Sequence, residues 1–297
     1  MHIKQAVDGA AARFAAVGIE QASADAELIA AHVLQVSRGE LGAKMVTGES
    51  FDVNQSELFS GLVEKRAARV PLQHLTGVAY FRNLELQVGP GVFVPRPETE
   101  LLVDLAIDAL SKAALADSAL ADATLAETGQ PIVVDLGTGS GAIALAIVQE
   151  VPKSKVFAIE LNPDSISFTR KNFERYGQNA TLIEGDMADA FAELNGQVHL
   201  LVSNPPYIPN DMVPRDPEVH LHDPSLALYG GDDGMNLVHT VLAVANRLLR
   251  SGGKILIEHA DIQGEITRRL ASEAGFVDVK TQQDLTGRDR ALSATIP

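Results

Sequence analysis

The four residues Asn204-Pro205-Pro206-Tyr207 follow an apolar stretch at 198–203 and combine acceptor groups with an aromatic ring. Proline has a fixed φ and no backbone N–H, so the turn is rigid and its carbonyls face few competing donors. The Asn204 side-chain oxygen and the Pro205 carbonyl can each accept one hydrogen from a planar –NH2 group. The Tyr207 ring can pack on the flat face of that group. This pattern predicts capture of a planar nitrogen; the alternative is an ordinary proline-rich turn.

A second stretch that could do chemistry is rich in glycine and reads Asp135-Leu136-Gly137-Thr138-Gly139-Ser140-Gly141. Glycines allow a tight bend and a close approach of the backbone to a ligand. Glu160 ends the next predicted strand, where a carboxylate can accept hydrogen bonds from both ribose hydroxyls. The two features together predict a nucleotide-type cofactor. The alternative is a set of glycines that only make a turn from strand to helix.

Two classes of cofactor fit the glycine spacing. Gly137, Gly139 and Ala142 satisfy the dinucleotide fingerprint in its Gly/Ala form, so a nicotinamide cofactor is one reading. Asp135, with the spacing of Gly137, Gly139 and Gly141, resembles the cofactor loop of class I S-adenosylmethionine-dependent methyltransferases. The turn at residues 204–207, here called the acceptor turn, favours the second reading. It resembles the turns of methyltransferases that act on the amine of adenine or the amide of glutamine.

These residues lie in a region of alternating strands and helices that begins after Pro131. Such alternation is typical of an α/β fold with a mostly parallel sheet covered by helices on both faces. Two further predicted strands, at 276–282 and 290–296, have no helix between them and predict an antiparallel pair at the end of the sheet. The other strands are predicted at 132–136, 155–160, 181–184, 198–203 and 254–258, with helices at 142–150, 164–176, 234–249 and 262–274.

The residues before 96 have a different pattern, with short helices predicted at 3–17, 23–36 and 54–69. Ser23 is expected to cap the second, and Asn54 with Glu57 resembles a capping box for the third. Two β-prone runs, at 78–81 and 84–88, predict a hairpin. The Ala-rich segment 111–130 predicts a surface helix extension and a loop. We therefore divide the chain into a helical domain (1–75), a hairpin linker (76–95) and a catalytic domain (96–297).

Composition limits both the class of protein and the kind of site. The 297 residues suffice for two domains, and the absence of cysteine excludes disulfides, thiolate nucleophiles and iron–sulfur clusters. The histidines form no recognisable zinc motif, so no metal is expected. A net charge of −15 counts against nucleic acid as the main partner. No export signal or apolar run of membrane-spanning length occurs, so we expect a cytoplasmic protein.

The chain resembles the release-factor glutamine methyltransferase family, called PrmC or HemK. The resemblance rests on the acceptor turn, on Phe-Val-Pro-Arg-Pro-Glu-Thr-Glu at 93–100 and on Pro-Leu-Gln-His-Leu-Thr-Gly at 71–77, and it covers nearly the whole chain. It implies a class I methyltransferase fold with a seven-stranded sheet. It also implies methyl transfer from S-adenosylmethionine, which leaves S-adenosylhomocysteine, to the glutamine of the Gly-Gly-Gln motif in class I peptide chain release factors. The N-terminal domain would dock that partner.

The resemblance also implies roles for individual residues. Residues 95–99 would wall the methionine end of the cofactor. Met187 stands where several relatives have an aromatic residue, and Asp223 stands where Glu is expected before Pro224. The implied substrate site is Asn204, Pro205, Pro206 and Tyr207. The implied cofactor site is Asp135, Gly137, Thr138, Gly139, Ser140, Gly141, Glu160, Asp186 and Met187, with Asn204 near the reacting methyl.

Several alternatives stay open at this point. The enzyme could act on a glutamine of a ribosomal protein or on the adenine amine of a nucleic acid, or the chain could be a non-catalytic module that kept the cofactor fold. The turn itself contains no carboxylate or histidine, so we expect catalysis by alignment and electrostatics. Glu258 and His259 could line the cleft at a strand end, and residues 284–290 are expected to maintain the fold.

Overall fold

The computed structural model describes residues 1–120 and 129–297, with side chains for 1–111 and 129–297. These residues form two compact units, Met1–Val78 with Pro214–His222 and Ala79–Val213 with Asp223–Pro297. The first unit thus includes a segment that follows the acceptor turn in sequence, which the sequence analysis did not anticipate. The division into a docking domain, a linker and a catalytic domain remains a prediction.

The first unit consists of helices. Two of its helices begin at capping boxes: Ser37 and Glu40 form one, and Asp52 and Gln55 form another. The helices are α1 (Ile3–Ala16), α2 (Ala22–Leu34), α3 (Arg38–Thr47), α4 (Val53–Ala67), α5 (Leu72–Thr76) and, from the later segment, α9 (Pro217–His222).

Two of the predicted caps were wrong. Ser23 lies inside the first turn of α2, which begins after Gln21 without a side-chain cap. Asn54 lies inside α4, because Asp52 accepts from the Gln55 amide at 2.8 Å and makes the cap two residues earlier. In both places several polar residues compete for the cap, so composition alone does not select one.

A buried ion cluster accompanies the apolar core of this unit. Arg66 Nε donates to Asp25 Oδ2 at 2.7 Å, and its Nη1 donates to Glu218 Oε1 at 2.8 Å. Arg69 Nη2 donates to the other oxygen of Glu218 at 2.8 Å. Removing one partner from such a cluster leaves a buried charge uncompensated, which is strongly destabilising. Arg66 therefore ties α9 to α2 and α4.

The second unit is an α/β structure, and it includes the hairpin except for Val78. The hairpin strands are β1 (Val78–Phe81) and β2 (Leu84–Gln87). A short 3₁₀ turn at Pro97–Thr99 leads into α6 (Glu100–Leu120), so the Ala-rich segment begins as the predicted helix extension. Residues 121–128 of that segment lie outside the described residues.

The elements that follow alternate as predicted. They are β3 (Ile132–Leu136), α7 (Ala142–Glu150), β4 (Lys155–Glu160), α8 (Pro163–Tyr176), β5 (Ala180–Glu184), β6 (Val198–Ser203), α10 (Ser225–Leu228), α11 (Asn236–Leu248), β7 (Leu249–Glu258), α12 (Gly264–Glu273), β8 (Val277–Gln283) and β9 (Asp289–Thr295). Short 3₁₀ turns lie at Met187–Asp189 and Ala192–Leu194.

The sheet has seven strands in the order β5-β4-β3-β6-β7-β9-β8. Among the described strands, only β9 runs against its neighbours, since β7 and β8 both pair with it antiparallel. The predicted mostly parallel α/β sheet of the class I methyltransferase type, with an antiparallel end, is confirmed. Adjacent residues on one strand point to opposite faces: Val134 packs in one core cluster and Val133 in the other.

The strand register brings the glycine loop, Glu160 and the acceptor turn to one edge of the sheet. Leu136 at the end of β3 pairs with Ile159 on β4 and with Ser203 at the end of β6. The strand order reverses around β3, because β4 lies on one side and the later strand β6 on the other. Open α/β sheets bind ligands at the carboxyl ends of strands at such a reversal. In the described residues, no helix combines the length and apolar character needed to cross a membrane.

Candidate active site

The glycine loop after β3 is built on left-handed backbone. Gly137, Gly139 and Gly141 have φ values of +71°, +57° and +88°, which side chains other than glycine rarely adopt. A Cβ on Gly141 would lie 2.8 Å from the Phe173 ring, whereas a Cβ on Gly139 would meet nothing within 4 Å. The loop therefore packs against Phe173 at Gly141 and faces open space at Gly139, where a ligand could approach the backbone.

Two side chains of α8 hold this loop in place. Thr169 Oγ1 donates to the Gly139 carbonyl at 2.6 Å, and Asn172 Nδ2 donates to the Ser140 carbonyl at 2.9 Å. Asn172 also exchanges two hydrogen bonds with the backbone of Gln87, at 2.7 and 2.9 Å. Sequence reasoning missed both residues. The available signal was polar residues three apart on the core-facing side of a helix, where apolar residues are usual.

Glu160 lies at the predicted place, and both of its oxygens are used. Its Oε2 accepts from the Gly139 amide at 2.7 Å, and its Oε1 accepts from the Asn162 amide at 2.7 Å. A carboxylate oxygen has two acceptor sites, so each oxygen can accept a further hydrogen bond from a ligand hydroxyl. The side chain is 8% exposed. Glu160 therefore shapes the loop as well as offering acceptors to a ligand.

Asp135 is completely buried beneath the loop. Thr138 Oγ1 donates to its Oδ2 at 2.6 Å. Burial raises the pKa of Asp135 to about 7, although the Thr138 hydroxyl acts in the opposite direction. Its Oδ1 has no hydrogen-bond partner among the described residues. A buried acceptor without a partner is unusual in a folded protein, and it is an available acceptor at this site.

Asp186 and Met187 come to the same edge after β5. The Asp186 carboxylate caps the short turn at Met187–Asp189 by accepting from the Ala188 amide at 2.9 Å. Met187 is half-buried, and its methyl group would lie 3.4 Å from a Cβ placed on Gly137. The structure thus brings Met187 against the glycine loop. A flexible thioether there offers an apolar surface beside the loop.

The acceptor turn begins directly after β6. Asn204 Nδ2 donates to Thr99 Oγ1 at 3.3 Å, so the amide nitrogen is taken and the amide oxygen is directed elsewhere. The turn is also held from behind: Gln263 Nε2 donates to the Tyr207 carbonyl at 2.8 Å. A Cβ on Gly234 would lie only 2.2 Å from that carbonyl, so glycine is required there.

The Tyr207 side chain has a partner that the sequence did not assign to it. Its hydroxyl donates to Glu258 Oε1, at 3.3 Å, at the end of β7. Burial and the neighbouring carboxylate raise the pKa of Tyr207 above its ordinary value. Glu258 is 3% exposed, and burial raises its pKa to about 7. Glu258, which was expected to line the cleft, therefore contacts the acceptor turn.

The remaining sequence candidates lie around this centre. His259 is fully buried and its Nδ1 lies 2.8 Å from the Ala260 carbonyl oxygen. Asp284 accepts from the amide and hydroxyl of Thr286 and from Arg290, which closes the turn between β8 and β9. No group of three or more His, Cys, Asp or Glu in the described residues could hold a metal ion.

Asp223 is bound by a cation from an earlier segment of the chain. Arg96 Nη2 donates to Asp223 Oδ2 at 3.2 Å, and its guanidinium lies 5.5 Å from the centre of the Phe93 ring. The segment 93–99 is thus attached both to the chain after the acceptor turn and, through Thr99, to Asn204 itself.

Two family models match parts of this chain. Residues 5–77 match the family described as PrmC N-terminal domain, and residues 113–215 match the methyltransferase small domain. A methyltransferase structure from Pyrococcus furiosus aligns with a TM-score of 0.49 and 19% identity over 72% of this chain and 89% of that one.

Full-length relatives are much closer. The release factor glutamine methyltransferase of Streptomyces coelicolor is 46% identical over 95% of this chain and 94% of its own length. That of Mycolicibacterium smegmatis is 42% identical over 99% of this chain and 97% of its own length. The chain therefore belongs to the release factor glutamine methyltransferase family and is a protein glutamine methyltransferase.

Proposed function

We propose that this enzyme transfers the methyl group of S-adenosylmethionine to the side-chain amide nitrogen of the glutamine in the Gly-Gly-Gln motif of class I peptide chain release factors. The names of its relatives support the release factor as substrate. The observation that carries the proposal is the orientation of Asn204 at the end of β6, with its nitrogen on Thr99 and its oxygen free for a substrate amide. We further propose that residues 1–75 dock this partner.

The residues at the strand ends fit the proposed methyl donor. Gly139 faces open space, Glu160 retains acceptor sites for two ribose hydroxyls, and the Asp135 Oδ1 is an acceptor without a partner among the described residues. Asp186 and Met187 would lie beside the adenine. When bound, the donor supplies an electrophilic methyl group on a positively charged sulfur.

The residues of the protein would help a poorly reactive amide nitrogen to attack the methyl carbon. An amide nitrogen is a poor nucleophile, because its lone pair is conjugated with the carbonyl, as in the peptide bond with its rotation barrier of about 18–20 kcal/mol. The Asn204 oxygen and the Pro205 carbonyl would hold both amide hydrogens and direct the lone pair at the methyl carbon. They would also stabilise the positive charge that develops on nitrogen. After transfer, one of the two amide protons passes to water, which leaves a neutral methylated amide.

The decisive experiment is a methylation assay followed by peptide mapping. Purified enzyme, labelled S-adenosylmethionine and a purified class I release factor are incubated, and the methylated residue is located by mass spectrometry. The matched control is the same release factor with Gly-Gly-Ala in place of Gly-Gly-Gln. We expect one methyl group on the motif glutamine and none on the control. An unmethylated release factor, with methylation of ribosomal proteins or of nucleic acid in parallel reactions, would overturn the proposal.

A further inference from the structure

Asn172 joins the glycine loop to the chain that leaves the hairpin. It lies on α8 and is fully buried. Its Nδ2 donates to the carbonyls of Ser140 and Gln87, at 2.9 Å each, and its Oδ1 accepts from the Gln87 amide at 2.7 Å. Gln87 is the last residue of β2. One buried side chain therefore bonds two segments that lie far apart in the sequence.

The three hydrogen bonds fix the orientation of the Asn172 amide. A primary amide has two N–H donors on its nitrogen and acceptor sites on its oxygen. Two carbonyls and one backbone N–H surround this side chain, so only one orientation pairs all three groups. The reversed amide would place its oxygen against two carbonyl oxygens. The bridge thus depends on an asparagine held in a single orientation.

The hairpin exit, defined here as residues 87–94, packs closely on α8. Its three valines form a small apolar cluster with Ala79, and Phe168 of α8 packs against that cluster. A Cβ on Gly89 would lie 2.5 Å from the Phe168 ring. The backbone of the exit therefore approaches α8 more closely than a residue with a side chain would allow.

A second asparagine attaches the hairpin exit beside Glu160. Asn162 Nδ2 donates to the Gly91 carbonyl at 2.9 Å, and the backbone amide of Asn162 donates to Glu160 Oε1 at 2.7 Å. Gly91 has a φ of +90°, and a Cβ on it would lie 2.6 Å from Asp164 Cβ. The exit is thus bonded at Gln87 to the residue that holds the glycine loop and at Gly91 to the residue that binds Glu160.

We propose that Asn172 is a positioning residue for the methyl donor, because it keeps the glycine loop in its donor-binding shape only while the hairpin exit is packed on α8. This inference rests on the proposed function, since it takes the glycine loop and Glu160 as the donor site. Such a coupling is reciprocal: if the packed exit favours donor binding, bound donor favours the packed exit by the same factor. The donor site then depends on a stretch of chain that precedes the whole sheet.

The first test measures the affinity for the donor. Asn172→Leu keeps the approximate shape of the side chain and removes its three hydrogen bonds. We expect the Kd of S-adenosylmethionine, measured by calorimetry, to rise about tenfold or more, because buried carbonyls lose their donor. At saturating donor, kcat should stay within about threefold of the parent, since no hydrogen bond of Asn172 reaches the acceptor turn.

The matched control for this variant is Asn179→Leu. Asn179 is an exposed asparagine that also donates to a backbone carbonyl, that of Pro152, at 2.9 Å. It has no hydrogen bond to the glycine loop or to the hairpin exit among the described residues. Asn179→Leu should therefore keep the parent Kd for S-adenosylmethionine.

A second variant perturbs the bridge from the hairpin side. In Gly91→Ala the added Cβ must push the exit away from α8, so the Kd of S-adenosylmethionine should rise about threefold or more although the glycine loop is unchanged. Gly275→Ala is its control, because Gly275 has a similar φ of +92° and its Cβ would meet nothing within 4 Å. Gly275→Ala should keep the parent Kd. Gly91→Ala carries the affinity test if Asn172→Leu does not unfold cooperatively.

Amide hydrogen exchange provides a readout that is independent of activity. The Gln87 amide donates to Asn172 Oδ1, so saturating S-adenosylmethionine should slow its exchange in the parent by about threefold or more. This effect should be lost in Asn172→Leu and in Gly91→Ala. An unchanged Kd in both variants, or no effect of the donor on Gln87 exchange in the parent, would overturn the positioning role.

The same measurements separate this inference from the proposed function. If the coupling is observed but no release factor is methylated, the proposed substrate fails and the role of Asn172 stands. If the release factor is methylated at its motif glutamine while both variants bind the donor as the parent does, the role of Asn172 fails and the proposed function stands.

Discussion

Replacement of Asn204 by alanine is the most direct test of the acceptor turn. The variant removes the side-chain oxygen that would hold one hydrogen of the substrate amide, and it leaves the Pro205 carbonyl in place. Loss of one oriented hydrogen-bonding group at a reacting centre typically lowers kcat by about 10²–10³, or about 2.7–4 kcal/mol of transition-state stabilisation. We expect a fall of this size for Asn204→Ala.

The same substitution should leave the fold intact. Asn204 makes a single side-chain hydrogen bond to Thr99, at 3.3 Å, and such a bond contributes about 0.5–1.5 kcal/mol to stability. That loss is small beside the stability of a typical domain, about 5–15 kcal/mol. Thermal unfolding of Asn204→Ala should therefore remain cooperative, and any loss of activity can be attributed to chemistry.

The assay measures initial rates of release-factor methylation at saturating S-adenosylmethionine, with calorimetry for the affinity of the donor. Asn210→Ala is the matched control, because Asn210 is an exposed asparagine in the same stretch of chain, bonded to Asp232 at 3.1 Å. The control should keep the parent rate. Turnover by Asn204→Ala within twofold of the parent would refute the assigned role of the acceptor turn.

Three further predictions concern the surrounding structure. Glu160→Ala should weaken S-adenosylmethionine binding by about tenfold or more, since the carboxylate both shapes the loop and offers ligand acceptors; an unchanged Kd in calorimetry would remove that assignment. Arg66→Met removes the cation that pairs with the buried Asp25 and should lower the free energy of unfolding in urea by about 3–5 kcal/mol, whereas Lys4→Met, at an exposed pair, should cost less than about 1 kcal/mol. The pKa of Glu258 is raised to about 7 in the folded protein, so its contribution to stability is complete below its unfolded pKa and is lost as the pH rises through 7. The free energy of unfolding of Glu258→Gln should therefore rise relative to that of the parent between pH 5 and pH 8. The same difference in unfolding free energy at both pH values would contradict this prediction.

The sequence was most informative where chemistry is local. The glycine loop and the acceptor turn are short, contiguous runs, and alternating elements of the right length predict the sheet that positions them. Glu160 and Asn204 could be placed at strand ends from sequence position alone, since parallel strands share one edge. Their roles toward cofactor and substrate remain predictions.

The supporting contacts could not be predicted in the same way. Thr169 and Asn172 act on a loop about thirty residues away, and Thr99 meets Asn204 from over a hundred residues away. Polar residues in a helix or turn carry no sign of their partners until the fold brings them together. Glu258 was noticed only because it ends a strand, and its contact with Tyr207 depends on the order of β6 and β7 in the sheet.

The membership of residues 214–222 in the helical unit has a consequence for dissection of the enzyme. The chain passes between units at 78/79, at 213/214 and again at 222/223. A fragment ending at residue 78 would lack Glu218, so Arg66 would lose one of its two carboxylate partners. A fragment beginning at residue 79 would carry α9 without the helices that hold it. Transplanting the helical unit onto another methyltransferase would therefore require moving both pieces together.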